Sequence, residues 1–132
     1  MSVSKKLVGA AIAAAAGVAL LAPATAFAGT NDNTCLSGDN CLYFNSNYQG
    51  AVAGFEFAVY DFAGYNFRGP GNGAGQPVKN NAASDYNNDP NCTVWVWYNH
   101  GYQGPADAIA PQRGLPQLQH TYNQNASQSW TC

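Results

Sequence analysis

Charge is scarce in this chain. Asp, Glu, Lys and Arg make up 9% of it, with seven acids against five bases. Two of the bases, Lys5 and Lys6, head an apolar run, which leaves Arg68, Lys79 and Arg113 for the rest. Three scattered bases form no cationic patch, so nucleic acids and anionic membranes lack their electrostatic attraction. The patterns of catalysis are also missing. The sequence contains neither HExxH nor Gly-x-Ser-x-Gly. His100 sits in an expected turn and His120 in a polar stretch. Glu56 and Asp61, weighed as a carboxylate pair, are five apart in or near an expected strand and so point to opposite faces. No coherent reactive site emerges, so an enzyme is not expected, and neither a catalytic residue nor a cofactor is assigned. Four cysteines without a CxxC spacing argue against a metal cluster. Amphipathic helices are lacking too, because Gly, Pro and Asn interrupt every window long enough to hold one.

What is present begins with a leader. Lys5 and Lys6 precede the Ala-rich run Leu7–Ala22, followed by Pro23 and the small-x-small triplet Ala26-Phe27-Ala28. The pattern predicts a signal peptide over residues 1–28, cut after Ala28. The run is short for a bilayer span of about 20 residues. The expected product, residues 29–132, is one secreted, extracellular domain with no membrane segment. It keeps three bases and seven acids, a formal charge of −4 against −2 for the full chain.

All four cysteines, Cys35, Cys41, Cys92 and Cys132, lie in that part. An even count in a small secreted chain reads as two disulfides. Three pairings are open. Locality favours Cys35–Cys41, which leaves Cys92–Cys132. Between the cysteines run short aromatic and β-branched segments separated by turn residues: Cys41–Phe44, Phe55–Val59, Thr93–Tyr98, Ala106–Ala110 and Ser127–Cys132. This pattern predicts an all-β sandwich. The Gly- and Pro-rich segment Gly64–Pro77 is expected to be a surface loop.

The sequence also repeats itself. "YFNSNYQG", from Tyr43, returns as "WYNHGYQG", from Trp97, at a shift of 54. "NNAAS" (Asn80–Ser84) returns as "NQNAS" (Asn123–Ser127) at a shift of 43. The difference places an insertion in the first half, and Gly64–Pro77 is the obvious place for it. Gly50 and Gly104 each follow an aromatic by two residues and supply a positive-φ position for a folded hairpin. Ser84 and Ser127 are expected to hydrogen-bond the hairpin backbone that would otherwise go unpaired. Neither half could bury its apolar face alone.

Aromatic-x-x-x-aromatic-x-Gly followed by an Asn-Asn-x-x-Ser element resembles the paired Greek-key motif of βγ-crystallins. The leader, the early Cys-x5-Cys with "LY" after it, "NNAAS" and "YNHGYQG" resemble one secreted bacterial branch, the metalloproteinase (peptidase) inhibitor family. The resemblance covers about Cys35 to Trp130. It implies a βγ-crystallin-like sandwich of two Greek-key motifs in a single domain, motif one over about 41–90 and motif two over about 92–132. It also implies a monomer that presents a rigid loop to an extracellular protease, most readily a metalloprotease. Preorganisation is what such a loop needs. The family's best-defined inhibitory loop is closed by a local disulfide in the second half. No cysteine lies between Cys92 and Cys132 here, so no reactive bond carries over and the inhibitory loop stays unassigned, with Gly64–Pro77 the most exposed-looking surface.

The superfamily further implies calcium. Asn80, Asn81, Ser84 and Asp85 are the candidate ligands, although a set with one carboxylate is poor for this ion, and bracing the hairpin is the simpler role. A non-inhibitory structural or weakly calcium-binding module is the alternative function. Trp95, Trp97, Tyr98, Tyr102 and Trp130 have the composition of a sugar-stacking face, but most of them read more simply as core and hairpin-covering residues. The sequons at Asn91 and Asn125 are read as chance in an Asn-rich chain.

Overall fold

A computed structural model describes residues 31–132, so the expected signal peptide lies outside the described residues. Seven strands follow in order: β1 (Asn40–Asn45), β2 (Gln49–Phe55), β3 (Ser84–Asn87), β4 (Thr93–Asn99), β5 (Gln103–Ile109), β6 (Arg113–Leu115) and β7 (Ser127–Thr131). They form two antiparallel sheets, ordered β2-β1-β3-β6 and β5-β4-β7. No helix occurs among the described residues. The fold is an all-β sandwich of two Greek keys.

The halves are interlocked. Strand β6 comes from the second half but pairs with β3 of the first. In return, Val59 of the first half exchanges two backbone hydrogen bonds of 3.0 Å with Gln128 on β7. Each half therefore completes the other's sheet, the physical form of the expectation that neither buries its apolar face alone. This exchange corrects one expected strand. Phe55–Val59 alternates like a strand, yet Phe55 closes β2 and Val59 makes an isolated bridge to the other sheet. The intervening residues carry the chain between layers. The alternation arises because Phe55 and Val59 are both buried, each on a different sheet.

The core fills the space between the layers. Leu42, Ala51, Ala53 and Phe55 face Val94, Val96 and Ile109, joined by Phe62, Phe67, Val78 and Leu118 from the connections. Full burial of a Val, Leu, Ile or Phe side chain contributes about 1.5–3 kcal/mol. Among these apolar groups lies a buried polar cluster centred on Asn40. Asn40 Nδ2 donates to Asp85 Oδ2 at 3.0 Å and to Gln128 Oε1 at 2.8 Å. Asp85 and Gln128 occupy the same place in the two halves, each one residue after its hairpin serine.

Cys35 is bonded to Cys41 and Cys92 to Cys132, with Cα separations of 5.5 and 4.3 Å. The first closes a turn leading into β1. The second joins the entrance of β4 to the exit of β7, its neighbour in the sheet.

Candidate functional site

The doubled sequence element is a doubled structure. In the first copy, Ser84 Oγ donates to the Asn45 carbonyl at 2.6 Å and accepts the Tyr48 N–H at 2.9 Å. In the second, Ser127 Oγ donates to the Asn99 carbonyl at 2.7 Å and accepts the Tyr102 N–H at 3.1 Å. The backbone repeats as well. Asn47, Tyr48 and Gly50 have φ of 59°, 59° and 84°, and Gly101, Tyr102 and Gly104 have 73°, 62° and 87°. A Cβ on Gly104 would lie 2.7 Å from Asn99 Nδ2, and one on Gly50 would lie 2.9 Å from the Asn72 carbonyl oxygen, so glycine is required for space as well as for φ.

The halves diverge in what covers the hairpins. Gly64–Pro77 folds over the first. Gly73 lies against the Phe44 ring so closely that no Cβ fits. The Asn72 carbonyl accepts the Ala51 N–H at 2.9 Å. The loop is braced within itself by Phe67 N–H to Gln76 O at 2.9 Å, Gly75 N–H to Phe67 O at 2.7 Å and Val78 N–H to Tyr65 O at 2.9 Å. Phe67 and Val78 anchor it in the core, with Phe67 edge-on to Phe44. Arg68 Nη1 donates to the Asn31 carbonyl at 3.0 Å. Residues 70–72 and 74–77 remain exposed. The segment is thus an exposed loop on a buried footing. Sequence reasoning did not single out the anchors Phe67, Asn72 and Gly73, although an isolated Phe in a Gly-rich run was the available signal.

Among the described residues no such loop lies over the second hairpin, which meets only Tyr60, whose carbonyl accepts the Gly101 N–H at 2.8 Å. Tyr98, the counterpart of Phe44, is 40% exposed. Tyr102 meets the exposed Tyr60 edge-on at 5.6 Å, and His100 lies 6.0 Å from the same ring. Trp95 and Trp97 correct the reading of these aromatics as core. They stack on the outer face of the β5-β4-β7 sheet, 6.0 Å apart, with their Nε1 groups donating to Thr131 Oγ1 and Ser129 Oγ, both at 2.9 Å. Their neighbours in the strand, Val94 and Val96, take the interior. Trp130 packs at the edge of the core.

The four calcium candidates do not converge. Ser84 spends its hydroxyl on the hairpin. Asp85 is fully buried and turned toward Asn40 between the sheets. Desolvation pushes its carboxyl well above the ordinary range, the nearby charge of Asp107 adds to this, and the Asn40 bond opposes it. Asn81 Nδ2 donates to the Pro77 carbonyl at 2.8 Å, and Asn80 is exposed with φ of 64°. Calcium needs six to eight oxygens, preferably charged, and this donor set does not fit it.

The remaining candidates resolve into structural roles. Asp61 pairs with Lys79 at 2.9 Å, away from the surroundings of Glu56, which lies near Asp39. Both histidines are exposed, and the His120 N–H donates to Asp107. That buried carboxylate, which the sequence did not single out, also accepts the Gln119 and Thr121 N–H groups and the Thr121 hydroxyl, pinning the segment that leads to β7. Asn125 is buried, holding the Ala82 N–H and the Val78 carbonyl.

Solved structures share this architecture at low identity. A structure described under the evolution of the eye lens βγ-crystallin domain fold matches with a TM-score of 0.58 and 17% identity over 78% of this chain and 93% of that one. The N-terminal domain of protein S matches at 0.54 and 16%, over 70% and 94%. A double mutant of a βγ-crystallin domain from Clostridium beijerinckii matches at 0.53 and 16%, again over 70% and 94%. These likenesses establish the fold. No curated protein matches significantly. The family profile described as peptidase inhibitor family I36 matches residues 28–109, more than half of the sequence. The chain therefore belongs to peptidase inhibitor family I36, an inhibitor-type protein and not an enzyme, built on a βγ-crystallin-like fold.

Proposed function

We propose that the protein is secreted and inhibits an extracellular protease, with metalloproteases the first candidates, by presenting the loop Gly64–Pro77 to the enzyme cleft. The observation that carries this reading is the loop's construction. Its tip is exposed, while Phe67, Val78 and the Asn72–Ala51 hydrogen bond hold its base. A segment ordered before binding loses little entropy on docking. Core anchoring here takes the part that a local disulfide plays in the family's best-defined loop. The two disulfides suit an oxidising compartment. The metalloprotease assignment rests on the resemblance carried by "NNAAS" and "YNHGYQG".

The test is a titration of a thermolysin-like metalloprotease and a subtilisin-like serine protease with the purified protein. Near-stoichiometric loss of activity is expected with the metalloprotease. Full activity of both enzymes at micromolar protein would favour the second reading, a non-inhibitory extracellular module. That reading is favoured by the absence of a cysteine between Cys92 and Cys132, in the half where the family's best-defined loop is closed by a local disulfide, and by the βγ-crystallin-type structures the chain is similar to.

A further inference from the structure

The outer face of the β5-β4-β7 sheet carries two tryptophans that the core does not use. Trp95 and Trp97 alternate along β4 with the buried Val94 and Val96, so both indoles stand on the side away from the other sheet. Their rings lie within 20° of parallel, with centroids 6.0 Å apart. Each is tied by its nitrogen edge to β7, Trp95 to Thr131 Oγ1 and Trp97 to Ser129 Oγ, both at 2.9 Å. Two tethers to the same strand order the pair before any ligand arrives, which lowers the entropy cost of binding. Solvent reaches both residues in part.

The floor around them is small and neutral. Cross-strand register sets Ala106 and Ala108 of β5 beside Trp97 and Trp95, and Ser129 of β7 on the other side of Trp95. These neighbours and Thr131 are themselves at least partly exposed. Strands β4, β5 and β7 hold one charged residue, Asp107, and it is buried on the inner face. The result is a flat, uncharged aromatic platform rimmed by two hydroxyls.

Size and neutrality select the occupant. Three strands about 4.8 Å apart, with five residues in β7, give a face of roughly 10 by 17 Å. That is on the order of 170 Å², against about 800 Å² per partner in a stable protein interface. A second copy of the chain or another folded protein therefore finds too little area, and a charged polymer finds no opposite charge. A neutral sugar finds both its needs. The C–H groups on one face of a pyranose ring are apolar and weakly positive, and they meet the negative face of an indole. The Ser129 and Thr131 hydroxyls accept from the indoles and keep an O–H to donate to a sugar oxygen.

We propose that Trp95 and Trp97 form a saccharide-binding platform that takes a short, neutral, extended oligosaccharide laid across the two indoles. A β-1,4-linked chain keeps successive rings in one ribbon, which suits a flat face and not a cleft. A face buries less of its ligand than a cleft does, so binding is weak. The platform lies on the other sheet from the hairpin that Gly64–Pro77 covers and is independent of the protease reading.

The chain has three tryptophans, so the indole N–H signals in a heteronuclear NMR spectrum of the isotope-labelled protein read the site directly. Titration with cellotriose and with chitotriose should shift the Trp95 and Trp97 signals saturably with at least one of the two, and leave that of Trp130, at the edge of the core, in place. Trp95→Ala should weaken binding about tenfold or more, as loss of a central Trp does at an interface. Tyr98→Ala, at the second hairpin, should bind as the parent does. Thermal melting checks that both variants are folded. The site is overturned by any of four results: no shift with either sugar up to about 10 mM, a Trp130 shift as large as the others, a Trp95→Ala variant that binds as the parent does, or a Tyr98→Ala variant that loses as much binding as Trp95→Ala. Movement of the Trp95 and Trp97 signals with protein concentration alone, without sugar, would assign the face to a second copy and overturn it as well.

Discussion

The two hairpins of this molecule are nearly the same object, and their surroundings are not. Asn45–Gln49 and Asn99–Gln103 turn with matching φ values, each held by one serine hydroxyl that bridges a carbonyl and an N–H. Over the first lies Gly64–Pro77, and Phe44 is packed between Gly73 and Phe67. Over the second lies no equivalent among the described residues, and Tyr98 meets solvent. Repetition therefore specifies the fold, while the insertion in one half supplies the surface that sets this chain apart.

The largest effect that would break the comparison is expected at Phe67. Phe67→Ala removes the loop's anchor from the core and should cost about 3–5 kcal/mol, read as a fall in denaturant midpoint. Near-UV signals from Trp95 and Trp97, on the far sheet, should persist below the transition. Next come the paired serines. Ser84→Ala and Ser127→Ala each leave a hairpin N–H and carbonyl without their partner, and each should cost about 1–3 kcal/mol. Chemical denaturation checks both. A large cost at one and none at the other would show that the hairpins are alike in shape only.

Those serines were legible in the sequence because turn chemistry and spacing are local properties. The positive-φ glycines and the Asn/Ser elements fall where the repeat places them. The strand exchange between halves was not legible. Phe55 and Val59 show the same apolar signal whether they lie on one strand or on two sheets, and only tertiary pairing with Gln128 separates the cases. The side taken by Trp95 and Trp97 was hidden for a related reason. Alternation with Val94 and Val96 says that one set faces inward, but not which. The smaller β-branched pair took the interior, and the indoles found hydroxyl partners on β7.

A smaller effect is expected where the halves exchange a carboxyl for an amide. Asp85 and Gln128 occupy equivalent positions around Asn40, but only Asp85 can ionise. Its carboxyl is raised in the folded state, so folding favours the protonated form. That contribution is fully present below the ordinary carboxylate value of about 4 and is lost as pH rises through the folded value. Asp85→Asn should therefore gain stability over the parent as pH rises above about 4, by on the order of 1 kcal/mol or more near neutrality, and should match it in acid. Urea denaturation at several pH values reads this directly. The smallest effect belongs to Tyr98→Ala, at the uncovered hairpin, which should stay within about 0.5 kcal/mol of the parent.

The division of labour between repeat and insertion is tested most directly by inhibition of a metalloprotease with two variants side by side. Ala74→Glu places a charge at the exposed loop tip without touching its anchors, and Tyr98→Ala alters the second hairpin. The account predicts that Ala74→Glu weakens inhibition about tenfold or more, the loss of roughly 1.4 kcal/mol of binding, while Tyr98→Ala inhibits as the parent does. Inhibition that survives Ala74→Glu and fails in Tyr98→Ala would place the functional surface on the second hairpin and contradict it.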